Sequence, residues 1–173
     1  MVVPCRVRVI DMVRLNLSVW LAGCGLAVAP LNAQQLQEPI RFFEGSTVGE
    51  STVNVVFHKA YASKTTGQGR INGDGSLDLL QRVEEDGKAP FQRRWHMKPV
   101  GQGRWSGTMT DAVGPVTAEQ VGNSYRFRFS MKDSVRVEQW LTPLPGGKSA
   151  KNEATIRKHG FVVGHSNGII RKL

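Results

Sequence analysis

Between Ser124 and Lys132 the chain alternates without a break. Tyr125, Phe127, Phe129 and Met131 take one parity, and Arg126, Arg128, Ser130 and Lys132 take the other. A repeat of two puts successive side chains on opposite faces of a strand, whereas a helix brings together residues three or four apart. Weaker forms of the same signal run along most of the chain. Thr52 to His58 places Val53, Val55 and Phe57 on one face. Ser63 to Ile71 runs into Asn72-Gly73-Asp74-Gly75, a strong turn signal. Leu77 to Glu84 closes at Glu85-Asp86-Gly87-Lys88. Phe91 to Val100 sets Phe91, Trp95 and Met97 against Arg94, His96 and Lys98. Beyond the Gly101-Gln102-Gly103 turn, Arg104 to Asp111 carries Trp105, Gly107 and Met109 in phase. Ser134 to Thr142 (Val135, Val137, Leu141), Asn152 to Lys158 and Phe161 to Arg171 complete the series.

These are about nine strands at roughly ten-residue spacing, the signature of a sandwich or barrel. The expectation is an all-β domain over residues 34–173, a single antiparallel up-and-down barrel of about eight to ten strands, because short turns join consecutive runs and closure removes exposed edges. No helix is expected in this body. Gly67-Gln68-Gly69, inside a strand run, is expected to mark a bend or bulge at a barrel corner.

Residues 12–33 have a different character. Arg14 precedes an apolar stretch from Leu15 to Ala29, which ends at Pro30-Leu31-Asn32-Ala33. A charged start, an apolar centre and a small-residue end make a secretory signal. Residues 1–33 are therefore expected to be a leader, with Met12 an alternative start. Two processing chemistries are open. Cleavage after Ala33 releases a soluble chain starting at Gln34, whereas Leu21-Ala22-Gly23-Cys24 has the spelling of a lipobox that would acylate Cys24. An uncleaved core helix or anchor is the third alternative, although the apolar run is short of the about 20 residues that a spanning helix needs. The expected location is the periplasm or cell envelope.

Composition adds two constraints. The formal net charge is +9; Arg6, Arg8 and Arg14 against Asp11 account for two of these, leaving +7 on residues 34–173. That charge favours anionic partners, but spread over a barrel surface it simply aids solubility. Both cysteines, Cys5 and Cys24, precede the body, so packing and sheet hydrogen bonds must stabilise it without disulfides.

Familiar catalytic and metal-binding patterns are missing. His58, His96, His159 and His165 form no ligand pair at short spacing, so no metal is expected. There is no nucleophile elbow, and His165 and Ser166, as strand neighbours, point apart. The glycine pairs lack the rest of a phosphate-binding motif, and no cofactor is expected. The arginines of Tyr125-Arg126-Phe127-Arg128-Phe129 lie opposite the aromatics, which argues against a nucleic-acid platform. The most suggestive feature is the inward parity of Phe57, Phe91, Trp95, Trp105, Met109, Tyr125, Phe127 and Phe129. Barrels of about eight strands are either filled by side chains or hold one small ligand. Arg93 shares the parity of Phe91 and Trp95. It would meet an anionic head group, pair with an internal acid such as Asp111, or snorkel to the barrel mouth.

Several of these residues together resemble a bacterial family of envelope proteins, domain of unknown function 3833. The matching pieces are Arg41-Phe42-Phe43-Glu44-Gly45; Gly103-Arg104-Trp105-Ser106-Gly107-Thr108 with Asp111 and Gly114; Gly122-Asn123; Trp140 after Glu138; and Lys158-His159-Gly160. The resemblance runs from Arg41 to Lys172. It implies a lipocalin-like barrel, exported and often lipid-anchored, with no assigned activity. Family members look like companions of lipid-modifying enzymes, which points to fatty-acyl ligands. Two departures stand out: the family's paired acids before the tryptophan are Glu138-Gln139 here, and its apolar last strand carries Ser166-Asn167-Gly168.

The expected function is a monomeric, non-enzymatic binder of a fatty acid or lipid, with Arg93, Trp95, Trp105, Met109, Tyr125, Phe127 and Phe129 as the interior binding residues. The alternatives are an accessory envelope protein with a filled barrel, and an enzyme on lipid-like substrates using Asp111, Arg93 or Glu119. Sequencing the N-terminus of envelope-derived protein should return Gln34 or acylated Cys24. An intact Met1 or Met12 would reject export, and Cys24→Ser should free the protein from membranes only where the lipobox is used.

Overall fold

In the computed structural model, residues 39–173 are described; the expected leader, with Cys24, lies outside them. One helical turn, α1 (Pro39–Phe42), precedes ten strands. These are β1 (Gly45–Val55), β2 (Tyr61–Ile71), β3 (Leu77–Glu85), β4 (Phe91–Gly101), β5 (Arg104–Met109), β6 (Val116–Val121), β7 (Ser124–Met131), β8 (Val135–Pro143), β9 (Ser149–Lys158) and β10 (Phe161–Lys172). Each strand pairs antiparallel with the next, and β1 also pairs with β10, from Thr47 opposite Lys172 to Val55 opposite Gly164. The result is a closed, lipocalin-like up-and-down barrel with no free edge.

Three elements differ from the sequence expectation, each for a readable reason. The first strand starts at Gly45 rather than Thr52. Its early inward positions are Thr47, Gly49 and the half-buried Ser51, which leave no hydrophobic alternation to detect. Phe57, expected inside, is fully exposed at positive φ in the β1–β2 turn. Strand pairing ends just before it, where the Val56 amide bonds the Val163 carbonyl at 2.8 Å. Strand β6 escaped notice because only Val116 and Ala118 are buried within it. Its neighbours hold it in place, with Ala118 opposite both Trp105 and Phe127.

The short helical turn was also unforeseen, and it closes one end of the barrel. Ile40, Phe42 and Phe43 are buried there among Trp105, Tyr125, Leu141 and Ala150. Phe43 meets Phe42 edge-on at 5.4 Å and Phe127 edge-on at 6.5 Å. From β10, Lys172 donates to the Arg41 carbonyl at 3.2 Å.

The Gly67/Gly69 pair is not a bulge. Strand β2 keeps unbroken register with β1 and β3 through both residues. A Cβ on Gly69 would lie 2.0 Å from the Phe43 carbonyl oxygen, so glycine there lets the plug backbone settle against the wall. Gly107 does the same for the neighbouring strand, where a Cβ would lie 1.8 Å from the His96 carbonyl oxygen.

The β7 register gives a direct test. Phe127 is buried and Arg128 is exposed, its guanidinium 3.3 Å from both Glu119 and Glu138. Phe127→Asp should cost several kcal/mol, because a carboxylate would replace a buried ring. Arg128→Ala should cost no more than about 1 kcal/mol, as exposed ion pairs usually do. Equal shifts in Tm would contradict the register.

Candidate functional site

The inward-facing residues divide the barrel into two unlike halves. From β3 to β8 they are mostly large: Leu79, Val83, Trp95, Phe127, Phe129 and Val137. From β9 through β10 to β2 they are mostly small or polar: Asn152, Ala154, Ser166, Ser51, Ser63 and Thr65. The bulk of one wall is not matched across the lumen, and a cavity of about 440 Å³ is left between them. Its volume falls within the roughly 300–1,000 Å³ of small-molecule sites.

The cavity runs from the plug, where Ile40 and Phe43 form its floor, to the opposite end of the barrel. There it opens between Tyr61 at the start of β2, Glu85 and Lys88 around the β3–β4 turn, and Phe91 at the start of β4.

Four polar arrangements mark the wall. Arg93 donates from Nε to Asp111 at 2.9 Å, and its guanidinium lies 5.5 Å from the Phe91 ring centre. Both charged groups are largely shielded, with side-chain exposures of 19% and 27%, yet both reach the cavity. Trp95 donates its indole N–H to Gln81 at 2.7 Å and packs edge-on against Phe129 at 5.7 Å. Gln139 donates to Asn152 at 2.6 Å, tying the large wall to the small one. At the mouth Lys88 bonds Glu85 at 2.6 Å and sits 5.1 Å from the Tyr61 ring centre.

The mouth cluster has shifted protonation equilibria. Burial pushes the Tyr61 hydroxyl above its ordinary value, and the Glu85 charge adds to that, with Lys88 opposing. The hydrogen bond to Glu85 is the main cause raising Lys88, with burial opposing it.

Of the seven residues assigned to the interior from sequence, Arg93, Trp95, Phe127 and Phe129 line the cavity. Trp105, Met109 and Tyr125 do not; they are buried in the packed core. Parity placed them inside but could not say that the plug fills the end of the lumen where Trp105 and Tyr125 lie, or that Met109, opposite Trp95 at the far end of β5, packs into the core beside the cavity. Trp105 carries a cost there, since its indole N–H has no partner among the described residues. Glu119, a candidate catalytic acid, lies on the outer face. Arg126 holds it through Nε at 2.9 Å, and this hydrogen bond, supported by the Arg126 and Arg128 charges, keeps its carboxyl below the usual range.

The residues carrying the family resemblance are mostly structural. Phe42 and Phe43 form the plug. Gly45, Gly114, Gly122 and Gly160 occupy positive φ, where a side chain would be strained, and Asn123 and Lys158 adjoin two of these turns. Trp140 packs on the outer face, 5.3 Å beneath the Arg126 guanidinium. Asp111 is the motif acid that reaches the cavity. Gln81, Gln139, Asn152 and the mouth cluster went unnoticed in the sequence. Their inward parity was the available signal, but polar residues in phase with an apolar face do not announce a site.

Among the described residues, no group of three or more His, Cys, Asp or Glu could hold a metal ion. No helix among them is long and apolar enough to cross a membrane.

The family model described as "Protein of unknown function (DUF3833)" matches residues 19–172. No curated protein matches the chain at a significant level. Among solved structures, the S-type phycobiliprotein lyase CpeS from Guillardia theta is similar, with a TM-score of 0.61, 7% identity, and coverage of 78% of this chain and 90% of that one. Rv2717c from M. tuberculosis gives a TM-score of 0.55 at 9% identity, covering 80% of this chain and 98% of that one. A protein of the DUF3598 family from Nostoc punctiforme gives 0.55 at 11% identity over 78% of this chain, which spans about half (49%) of that protein's length. At such identities these likenesses show a shared fold.

The Tyr61–Glu85–Lys88 cluster predicts an alkaline weakness. Tyr61 is neutral in both states below its ordinary value of about 10, and above it the unfolded chain ionises first, so stability falls. The stabilisation from Lys88 is complete below its own ordinary value and is lost as the pH rises through the higher folded one. Both act in the same direction, so Tm should fall as pH rises past about 10. Tyr61→Phe should make that fall shallower, and an unchanged alkaline profile would show that Tyr61 contributes nothing to it.

Proposed function

The chain belongs to the DUF3833 family, which is described without an activity, and from its cavity we propose that it carries one small amphipathic molecule, a fatty acid or similar lipid, outside the cytoplasm. The observation behind this reading is a lumen open at one end, with an aromatic wall, the Arg93–Asp111 pair facing into it and the Glu85–Lys88 pair at its mouth. The apolar part of the ligand lies against Trp95, Phe127 and Phe129, and its polar head reaches Arg93 and Asp111. A guanidinium has five N–H donors in a planar fork. Asp111 engages Nε, and the Arg93 side chain makes no other hydrogen bond among the described residues. The fork therefore retains capacity for a carboxylate, in competition with Asp111. The leader supports the location outside the cytoplasm.

The cavity weighs against a filled barrel whose role is purely structural. Glu85 and Asp111 are acids on the cavity wall, but each is bound to a cation, Lys88 and Arg93 respectively. This pairing favours holding a ligand over general-acid or general-base chemistry.

Long-chain fatty acids should quench tryptophan fluorescence and raise Tm. At a free concentration 100 times Kd, linkage gives about 2.7 kcal/mol of stabilisation. Arg93→Ala should weaken carboxylates about tenfold or more while leaving the matching alcohols nearly unchanged, because only the carboxylate gains a charge-assisted bond. Asp111→Asn should tighten carboxylates by removing the competing charge. If no long-chain acid raises Tm even in large excess, the carrier reading is wrong.

A further inference from the structure

The two hairpins beside the cavity mouth carry a surface that the interior does not explain. The β1–β2 turn presents Val56, Phe57, His58 and Lys59, and the β9–β10 turn presents Lys158, His159, Phe161 and Val162. Phe57 is fully exposed and Phe161 is 77% exposed, while Val56 and Val162 are also exposed. The two turns are neighbours on the rim, because β1 pairs with β10 and the Val56 amide bonds the Val163 carbonyl.

Three observations separate this patch from scattered apolar exposure, which is ordinary on protein surfaces. The large apolar side chains are concentrated at adjacent hairpin tips instead of lying singly. Phe57 adopts φ 63° and His159 φ 50°, in the left-handed region that non-glycine residues rarely occupy. The backbone strain at Phe57 thus coincides with a bulky ring held out in water. The charge is also one-sided: residues 55–60 and 157–164 contain Lys59, Arg157 and Lys158, together with His58, His159 and no acid.

We propose that this rim docks the open end of the barrel onto an anionic lipid bilayer, with Phe57 and Phe161 entering the interface and Lys59, Arg157 and Lys158 meeting the headgroups. Apolar tips flanked by cations match the two forces that hold peripheral proteins at membranes: burial of apolar area at the headgroup boundary and attraction to negative surface charge. The charge complementarity selects the bilayer over a second copy of this chain, whose matching hairpin tips, with no acid on them, would repel. The interior at the mouth then faces the membrane. This inference does not depend on which ligand, if any, the cavity holds.

The test uses the protein as its own cells produce it, so every variant shares the same N-terminus. Phe57→Trp and Phe161→Trp report from the rim, and Leu173→Trp, in place of an exposed residue near the plugged end, is the control. With vesicles of phosphatidylglycerol and phosphatidylcholine carrying brominated acyl chains, the two rim tryptophans should shift to the blue and be quenched, and the control should do neither. Vesicles of phosphatidylcholine alone should weaken the rim signal roughly tenfold or more, as expected for several cations near a charged surface. Lys59→Glu with Lys158→Glu should reproduce that loss while leaving Tm nearly unchanged, since both side chains are exposed. Phe57→Ser in the Phe161→Trp protein, and Phe161→Ser in the Phe57→Trp protein, should also abolish the rim signal with Tm maintained, since both rings are exposed. Equal quenching at rim and control positions would overturn the proposal. So would a blue shift that grows with protein concentration in the absence of vesicles, which would assign the patch to self-association.

Discussion

Closure of the sheet by pairing the first strand with the last is the constraint on which everything else rests. Once Val55 lies opposite Gly164 and Thr47 opposite Lys172, the circumference is set by ten strands, and inward side chains must fill a lumen of that width. A barrel of about eight strands is just filled by its side chains. Ten strands leave more room, and the small residues of β9, β10, β1 and β2 do not use it. The void follows from backbone hydrogen bonding holding apart walls that side-chain attraction alone would draw together.

The plug determines where the void lies. Phe42 and Phe43 occupy one end and draw Trp105, Tyr125 and Leu141 into close packing there. The approach of Phe43 to the wall at Gly69 leaves no room for a side chain. With that end filled, the open end is left to the polar and charged groups, which the cavity keeps from being fully desolvated. The Arg93–Asp111 pair therefore keeps contact with the cavity, whereas full burial of such a pair would carry a heavy desolvation penalty.

The charges on the outside have a different purpose. Arg126 bonds Glu119 and lies 5.3 Å from the Trp140 ring centre, while Arg128 lies between Glu119 and Glu138 across β6, β7 and β8. Cross-strand pairs of this kind favour one register over its neighbours. A slip of one residue would turn Phe127 outward and Arg128 inward. The outer ladder and the aromatic interior thus specify the same alignment from opposite faces.

The sequence by itself determined the class and direction of the architecture. Period-2 runs such as Tyr125 to Met131, separated by short turns, required an antiparallel all-β fold and assigned Phe127 and Arg128 to opposite faces. Alternation depends on the local pleat, so it can be read without knowing what a strand pairs with. Tertiary structure decided what alternation cannot carry. It lengthened β1 through Thr47, Gly49 and Ser51, where small inward residues leave no pattern, and it held β6 between two stronger neighbours. It placed Phe57 in a turn, because pairing and not hydrophobicity ends a strand. It also separated Arg93, on the cavity wall, from Trp105, under the plug, although the two share the same inward sense. Their depth along the barrel axis depends on register and closure, which arise only when residues more than a hundred positions apart in the chain, such as Val55 and Gly164, are brought together.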